Sequence, residues 1–163
     1  MLPKYNSILV TTDLTPHAET VFKHAIMLAR QNEAKIHLLY VVPQVDSSVR
    51  SYVATVLGSE SLDKLERTHQ QDALQKIRAE LEHFAHTELE DHPEDMQRFA
   101  GVDIRIGNPV EQILASAKQL EADVIVMGTH SKGVIEHSFI GSVAERVLQK
   151  ASCPAFIIPL PKH

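Results

Sequence analysis

The sequence predicts an α/β fold: a doubly wound, five-stranded parallel sheet of order 3-2-1-4-5 with helices on both faces. Three observations carry the prediction. Short apolar runs alternate with segments of helical period in the order β-α-β-α-β-α-β-α-β, the pattern of strands joined by crossover helices. The runs at Ile36–Val42 and Val124–Met127 are almost continuously apolar, as strands covered on both faces are. The run Val102-Asp103-Ile104-Arg105-Ile106 instead alternates, which suits an edge strand with one wet face. A 3-2-1-4-5 order makes that third strand the edge and puts the topological switch between the first and fourth strands.

Ser7-Ile8-Leu9-Val10-Thr11-Thr12-Asp13 reads as the first buried strand. Thr15-Pro16 then offers an N-cap and a proline at the first helical position. The helix that follows has Ala18, Val21, Phe22, Ala25 and Leu28 on one face. Lys35 to Val42 is the second strand, stopped by Pro43. Residues 44–60 show no clean period and read as a long connection with room for a short helical piece. Leu62, Leu65, Ala73, Leu74, Ile77, Leu81 and Phe84 mark a long amphipathic helix, which Asp91-His92-Pro93 ends or frays. After the third strand, Gly107-Asn108-Pro109-Val110-Glu111 starts a helix with Asn108 as cap, Pro109 in the first turn and Glu111 at capping-box spacing. Asp123 to Met127 is the fourth strand and Gly128 to Ile140 a loop. Gly141-Ser142-Val143-Ala144-Glu145 opens the last helix, with Ser142 and Glu145 again at capping-box spacing. Ala155-Phe156-Ile157-Ile158 is the last strand, between Pro154 and Pro159.

A chain of 163 residues with 44% hydrophobic and 23% charged residues is expected to form one domain over residues 1–163. The composition excludes collagen-like, low-complexity and wholly disordered classes. No apolar run approaches the roughly 18 residues of a membrane helix, and the segment from Met1 to Asn6 lacks a signal-peptide core. A single cysteine, Cys153, forms no internal disulfide, so a cytoplasmic location is expected. The acidity is local. Between Glu60 and Arg98 stand 11 acids and 5 bases, while the rest of the chain holds 10 acids against 11 bases. No basic stripe of the kind that binds nucleic acid is visible, yet the ends of the chain remain able to accept an anion.

The chemistry is expected at the switch point. Thr11-Thr12-Asp13 ends the first strand, and Met127-Gly128-Thr129-His130-Ser131 ends the fourth. Gly141-Ser142-Val143 then presents backbone N–H groups and a hydroxyl at a helix N-terminus, an arrangement suited to phosphate oxygens. Asp13 offers a carboxylate to a ribose hydroxyl or an adenine amino group. Each feature also has a plain structural explanation: Gly128 ends a strand, Ser142 caps a helix, Asp13 caps a turn. Their convergence on the two switch strands favours a nucleotide site.

Other signals point to no second site. His83 and His86 form an i, i+3 pair on the acidic helix, with His69 and His92 farther off, and zinc needs three or four converging ligands. No metal site is therefore expected. His130 and His137 flank the loop without an evident acidic orienter. Cys153, before Pro154, reads as a packing position. The chain contains neither G-x-x-x-x-G-K-[ST] nor G-x-G-x-x-G.

Taken along its whole length, the sequence resembles the universal stress protein family. The resemblance rests on Ile8-Leu9-Val10-Thr11-Thr12-Asp13, Gly107-Asn108-Pro109, Asp123 through Ser131, Gly141 through Val147, and Cys153-Pro154. It implies a Rossmann-like fold. The ATP-binding branch of that family carries Gly, two residues, Gly, nine residues, then Gly followed by Ser or Thr. Gly128, Gly141 and Ser142 stand in register with it, whereas the second glycine position is Ser131, with Gly133 two residues on. A serine at a position of positive φ costs about 1 kcal/mol or more. By this resemblance Asp13 and the main chain of Val41 face adenine or ribose, with Thr11, Thr12 and Met127 beside them. Gly128, Thr129, Ser131, Gly141, Ser142 and Val143 hold ribose and phosphates.

The expected function is thus that of a stress-response protein that binds ATP, with magnesium accompanying the phosphates, and acts through its nucleotide state. No paired catalytic carboxylates or nucleophile triad argue for an efficient enzyme, so ATP hydrolysis is expected to be slow at most. The alternative is a dimeric interaction module of the same fold with a vestigial site. Ala155–Ile158 is apolar and stands at a sheet edge, which predicts a homodimer paired through that strand; otherwise the tail Pro159-Leu160-Pro161 folds back over the edge.

Overall fold

The structure, a computed structural model, describes residues 1–42, 51–52, 54–56, 58–129 and 140–161. Ser7–Thr12 forms the central strand β1, whose Ile8, Leu9 and Val10 are buried on both faces. It pairs in parallel with β2, Lys35–Val42, on one side and with β4, Val124–Gly128, on the other. Outside β2 lies β3, Phe99–Ile106, and outside β4 lies β5, Ala155–Ile158. The order is therefore β3-β2-β1-β4-β5, as the sequence predicts. Asp123 pins the start of the sheet: its Oδ2 accepts from the Asn6 N–H at 2.7 Å and the Ser7 N–H at 3.0 Å.

Two cores separate along the pleat because successive strand side chains point to opposite faces. On one face Ile8, Val10, Ile36, Leu38, Val124 and Val126 meet helix α1, Ala18–Asn32, and the C-terminal half of helix α2, Ser59–Leu89. Phe22 of α1 lies between the Phe84 ring, 5.4 Å away, and the Phe99 ring, 6.4 Å away, and so joins both helices to β3. On the other face Leu9, Leu39, Ile125 and Met127 pack against helix α4, Pro109–Gln119, and helix α5, Ser142–Lys150.

Several boundaries differ from the sequence-based expectation, each for a local reason. Helix α1 begins at Ala18 with His17 at its N-cap, so Thr15-Pro16 does not start it. Asp13 Oδ1 accepts from the Thr15 N–H at 3.0 Å, and Thr15 O accepts from the Ala18 N–H at 3.0 Å. These bonds make a turn first, with Pro16 inside it. Leu28 is only half-buried, and Ile26 and Ala29 join the packed face.

Helix α2 starts at Ser59 and ends at Leu89. Ala73, expected on its packed face, is exposed, the expected Leu62 and Leu65 side chains lie outside those described, and Leu81 is the first buried position among the described side chains. Of the expected connection 44–60, residues 44–50, 53 and 57 lie outside the described residues; 51–52 and 54–56 are helical. A four-residue helix α3, Pro93–Met96, follows where a frayed tail was an expected outcome. It is held by Asp95, which is buried (1% exposed). Arg30 Nε donates to the Asp95 carboxylate at 2.9 Å, its second nitrogen Nη2 donates beside it, and Arg98 Nη1 donates at 2.8 Å.

Strand β3 begins three residues earlier than the alternation around Ile104 indicates. Ile36 pairs with Phe99 and His37 with Gly101, leaving Ala100 as an extra residue. Gly101 takes φ +138, a conformation that favours glycine, and so lets the strand continue through the bulge.

Candidate functional site

Parallel strands direct their C-terminal ends the same way, and at the β1/β4 switch the crossover helices diverge and leave a crevice. A cavity of about 290 Å³ occupies that place, at the lower end of ordinary ligand pockets, about 300–1,000 Å³. Thr11, Thr12 and Asp13 from the end of β1 line it. Met127 and Gly128 from β4, with Thr129 after it, form a second wall, and Val41 from β2 a third. Gly141 and Val143 close it from the start of α5. Ser131 lies outside the described residues, as do His130, Lys132, Gly133 and His137.

Ser142 is not among the residues that line the cavity. It is exposed, whereas Ala144 is buried. A helix turns about 100° per residue, so with Val143 and Ala144 on the cavity side Ser142 falls on the outer side. The expected Ser142–Glu145 capping box is also absent: Gly141 is the N-cap, and the Glu145 N–H donates to Gly141 O at 2.9 Å. Gly141 carries no side-chain cap, so among the described residues no side chain caps the N-terminus of α5, where Gly141 and Val143 line the cavity. By contrast, Asn108 caps α4 as expected, accepting from the Glu111 N–H at 3.2 Å.

Two predicted site residues have structural duties as well. Asp13 uses Oδ1 for the Thr15 N–H, and Oδ2 carries no hydrogen bond among the described residues. Thr129 is a junction. Its N–H donates to Ile158 O at 3.0 Å, its carbonyl accepts from the Gly141 N–H, and its Oγ1 accepts from the Leu160 N–H at 3.0 Å. The turn after β1, between Asp13 and Thr15, puts Leu14 at φ 59, a conformation costing a bulky residue about 1–2 kcal/mol. Partial burial of Leu14 against the α1 core offsets that cost.

The reading of residues in sequence misses several walls of the cavity. Tyr40, Pro109 and Ile113 enter from β2 and α4, and Ala18 and Val21 from α1. Leu160 enters from the tail after β5. The only sequence signal for Leu160 is an apolar residue between Pro159 and Pro161. The tail thus turns toward the end of β4 instead of folding over the β5 edge, where Phe156 stays 40% exposed.

Elsewhere the chemistry is structural. Burial pushes the Cys153 thiol up from its ordinary range and the Asp123 charge adds to the shift, the reverse of what activates a nucleophile. His86 Nδ1 lies 2.8 Å from the Glu82 carbonyl oxygen on its own helix. Among the described residues His92, Glu94 and Asp95 bring one ligand atom each within 4.8 Å of one another. The two guanidiniums already on Asp95 oppose a cation there. No helix among the described residues is long and apolar enough to cross a membrane.

Comparison with known proteins agrees with this architecture. The profile of the universal stress protein family matches residues 4–159. Universal stress protein MJ0531 of Methanocaldococcus jannaschii is 32% identical over 160 residues, covering 97% of this chain and 84% of the relative. The solved structure of MJ0577 from the same organism superposes with a TM-score of 0.70 at 26% identity, covering 99% of this chain and 100% of that one. The crystal structure of a universal stress protein in complex with cAMP shares the fold, with a TM-score of 0.52 at 15% identity and coverage of 96% and 98%. With its sheet order, its length and its sequence all matched, the chain belongs to the universal stress protein family.

Proposed function

We propose that the cavity between β1 and β4 binds an adenine nucleotide, ATP with magnesium, and that the protein acts in the cytoplasm as a nucleotide-dependent regulator of the stress response. One observation carries the reading: the Asp13 carboxylate and a helix N-terminus that has no side-chain cap among the described residues both line a single cavity at the switch point. Asp13 Oδ2 suits a ribose hydroxyl or an adenine amino group, with the Val41 main chain beside it. The α5 N-terminus at Gly141 and Val143 suits phosphate, because aligned peptide dipoles and unpaired N–H groups favour an anion. The fold accommodates such a ligand in one relative, the complex with cAMP. Hydrolysis is slow at most in this reading. Residues 1–163 act as one domain, and two copies pair through β5.

Mass spectrometry of the freshly purified protein and calorimetric titration with ATP test the proposal. Nucleotide is expected to co-purify, and Asp13→Ala and Gly141→Val are expected to weaken binding at least tenfold. Asp13→Asn is the control for folding, since an asparagine oxygen still accepts from the Thr15 N–H while its amide changes what the cavity sees. Ser131→Gly is expected to preserve or tighten binding. Unchanged affinity in both Asp13→Ala and Gly141→Val, with each variant folded, overturns the assignment of the site.

A further inference from the structure

Leu160 lies two residues beyond the last strand and takes part in no sheet pairing. Its backbone is nevertheless fixed, because its N–H donates to Thr129 Oγ1 at 3.0 Å. The side chain then reaches the cavity wall at the end of β4. A Cβ placed on Gly128 would stand 2.6 Å from Leu160 Cδ1 and 3.2 Å from Val21 Cγ2. A side chain at residue 128 would therefore displace the end of the Leu160 side chain, and no left-handed φ requires glycine there. Leu160, Val21 and Ala18 make this side of the cavity apolar, whereas Asp13, Thr11 and Thr12 make the β1 end polar.

We infer that Leu160 is a specificity-determining residue: it sets how large an apolar group a ligand can carry on the side of the cavity bounded by Val21 and Gly128. The inference rests on the reading of this cavity as an adenine-nucleotide site. An apolar wall discriminates by size, each methylene-sized group being worth about 10-fold to 200-fold in selectivity. The described walls enclose only about 290 Å³, so a branched four-carbon side chain beside Gly128 occupies space that a substituent on the ribose would need. Leu160 also packs against the core that α1 shares with the sheet, so folding of each Leu160 variant is measured beside its binding.

The test is a size series measured calorimetrically on wild type, Leu160→Ala and Leu160→Phe. The ligands are ATP and ATP analogues bearing a benzyl group on the 2′ or 3′ oxygen of the ribose, the part of the nucleotide that the proposed reading places beside Gly128. Leu160→Ala is expected to bind at least one benzyl analogue tenfold or more tighter than wild type does, with ATP itself changed less. Leu160→Phe is expected to weaken ATP. Identical selectivity across the three proteins, with wild type binding ATP, overturns the inference and leaves the nucleotide reading intact. If no protein of the three binds any nucleotide, the nucleotide reading fails instead, and benzene uptake decides the role of Leu160. An opened apolar hole takes up benzene, so greater uptake by Leu160→Ala than by wild type supports the wall; uptake by neither, or equal uptake by both, overturns it. Leu160→Val gives the same readings at smaller amplitude should alanine loosen the tail.

Discussion

Leu160 and Thr129, 31 residues apart in sequence, are joined by a 3.0 Å hydrogen bond from the Leu160 N–H to Thr129 Oγ1. Thr129 is 7% exposed, and its N–H and carbonyl are already bonded to Ile158 and Gly141. One residue therefore ties the end of β4 to the tail, to β5 and to the start of α5. Thr129→Val keeps the shape and removes the acceptor, leaving a partly buried N–H unpaired at a cost of about 0.5–1.5 kcal/mol. Thr129→Ser keeps the acceptor and is expected to cost less. Urea denaturation compares the two; equal losses would show that the bond contributes nothing.

Two glycines separate backbone freedom from close packing. Gly101 has φ +138 with open space around its would-be Cβ, whereas Gly128 has ordinary φ and a side chain 2.6 Å from that point. Gly101→Ala is expected to cost about 1–3 kcal/mol through the backbone alone, regardless of residue 160. Gly128→Ala is expected to destabilise through collision, and adding Leu160→Ala should recover part of the loss. Thermal melts of the single and double variants check this, and strict additivity at Gly128 would count against the close contact.

The Arg30 guanidinium, hydrogen-bonded to Asp95, holds that carboxyl below the usual carboxylate range, with Arg98 adding to the effect. A depressed folded-state pKa stabilises the fold above the unfolded value of about 3.9, and the contribution is lost as pH falls through the folded value. Asp95→Asn is expected to lower stability by about 1–3 kcal/mol near neutrality. The gap to wild type should then narrow as pH drops below about 4. A gap that stays constant in melts from pH 7 to pH 3 contradicts the assignment.

Strand β5 ends the sheet, and its Phe156 is 40% exposed beside His24, whose ring centre lies 6.2 Å away. If two copies pair through this edge, Phe156→Lys places a charge in the interface and gives a monomer, since edge charges block strand addition. Sedimentation of both proteins at micromolar concentration is the check. A monomeric wild type overturns the proposed dimer.

Phe22 lies 1% exposed between two aromatic rings. Phe22→Leu, which keeps much of the apolar volume, is expected to cost less than Phe22→Ala, for which about 3–5 kcal/mol is typical. Guanidinium unfolding separates the two; equal losses would mean that the neighbouring core collapses around either residue.

Strand identity, sheet order and the two switch-point strand ends were legible in the sequence because they depend on local quantities. Continuous apolarity at Ile36–Val42 and Val124–Met127, alternation around Ile104, and the Asn108-Pro109 helix start are each visible within a few residues. Asp13 and Gly128 follow from strand order, since a parallel sheet puts its ligand crevice where that order reverses.

What only the tertiary structure decided are the places where distant segments compete for one polar group or one space. Asp13 claims the Thr15 N–H and delays α1 to Ala18; Asp95 gathers Arg30 and Arg98 and turns an expected tail into α3. Leu160, from beyond the last strand, brings its Cδ1 within 2.6 Å of where a Cβ on Gly128 would stand. Periodicity and spacing report a residue's neighbours along the chain, while burial and steric exclusion are properties of neighbours in space. The sequence by itself determined the sheet and the location of its crevice; packing from α1 and the tail determined the shape of that crevice.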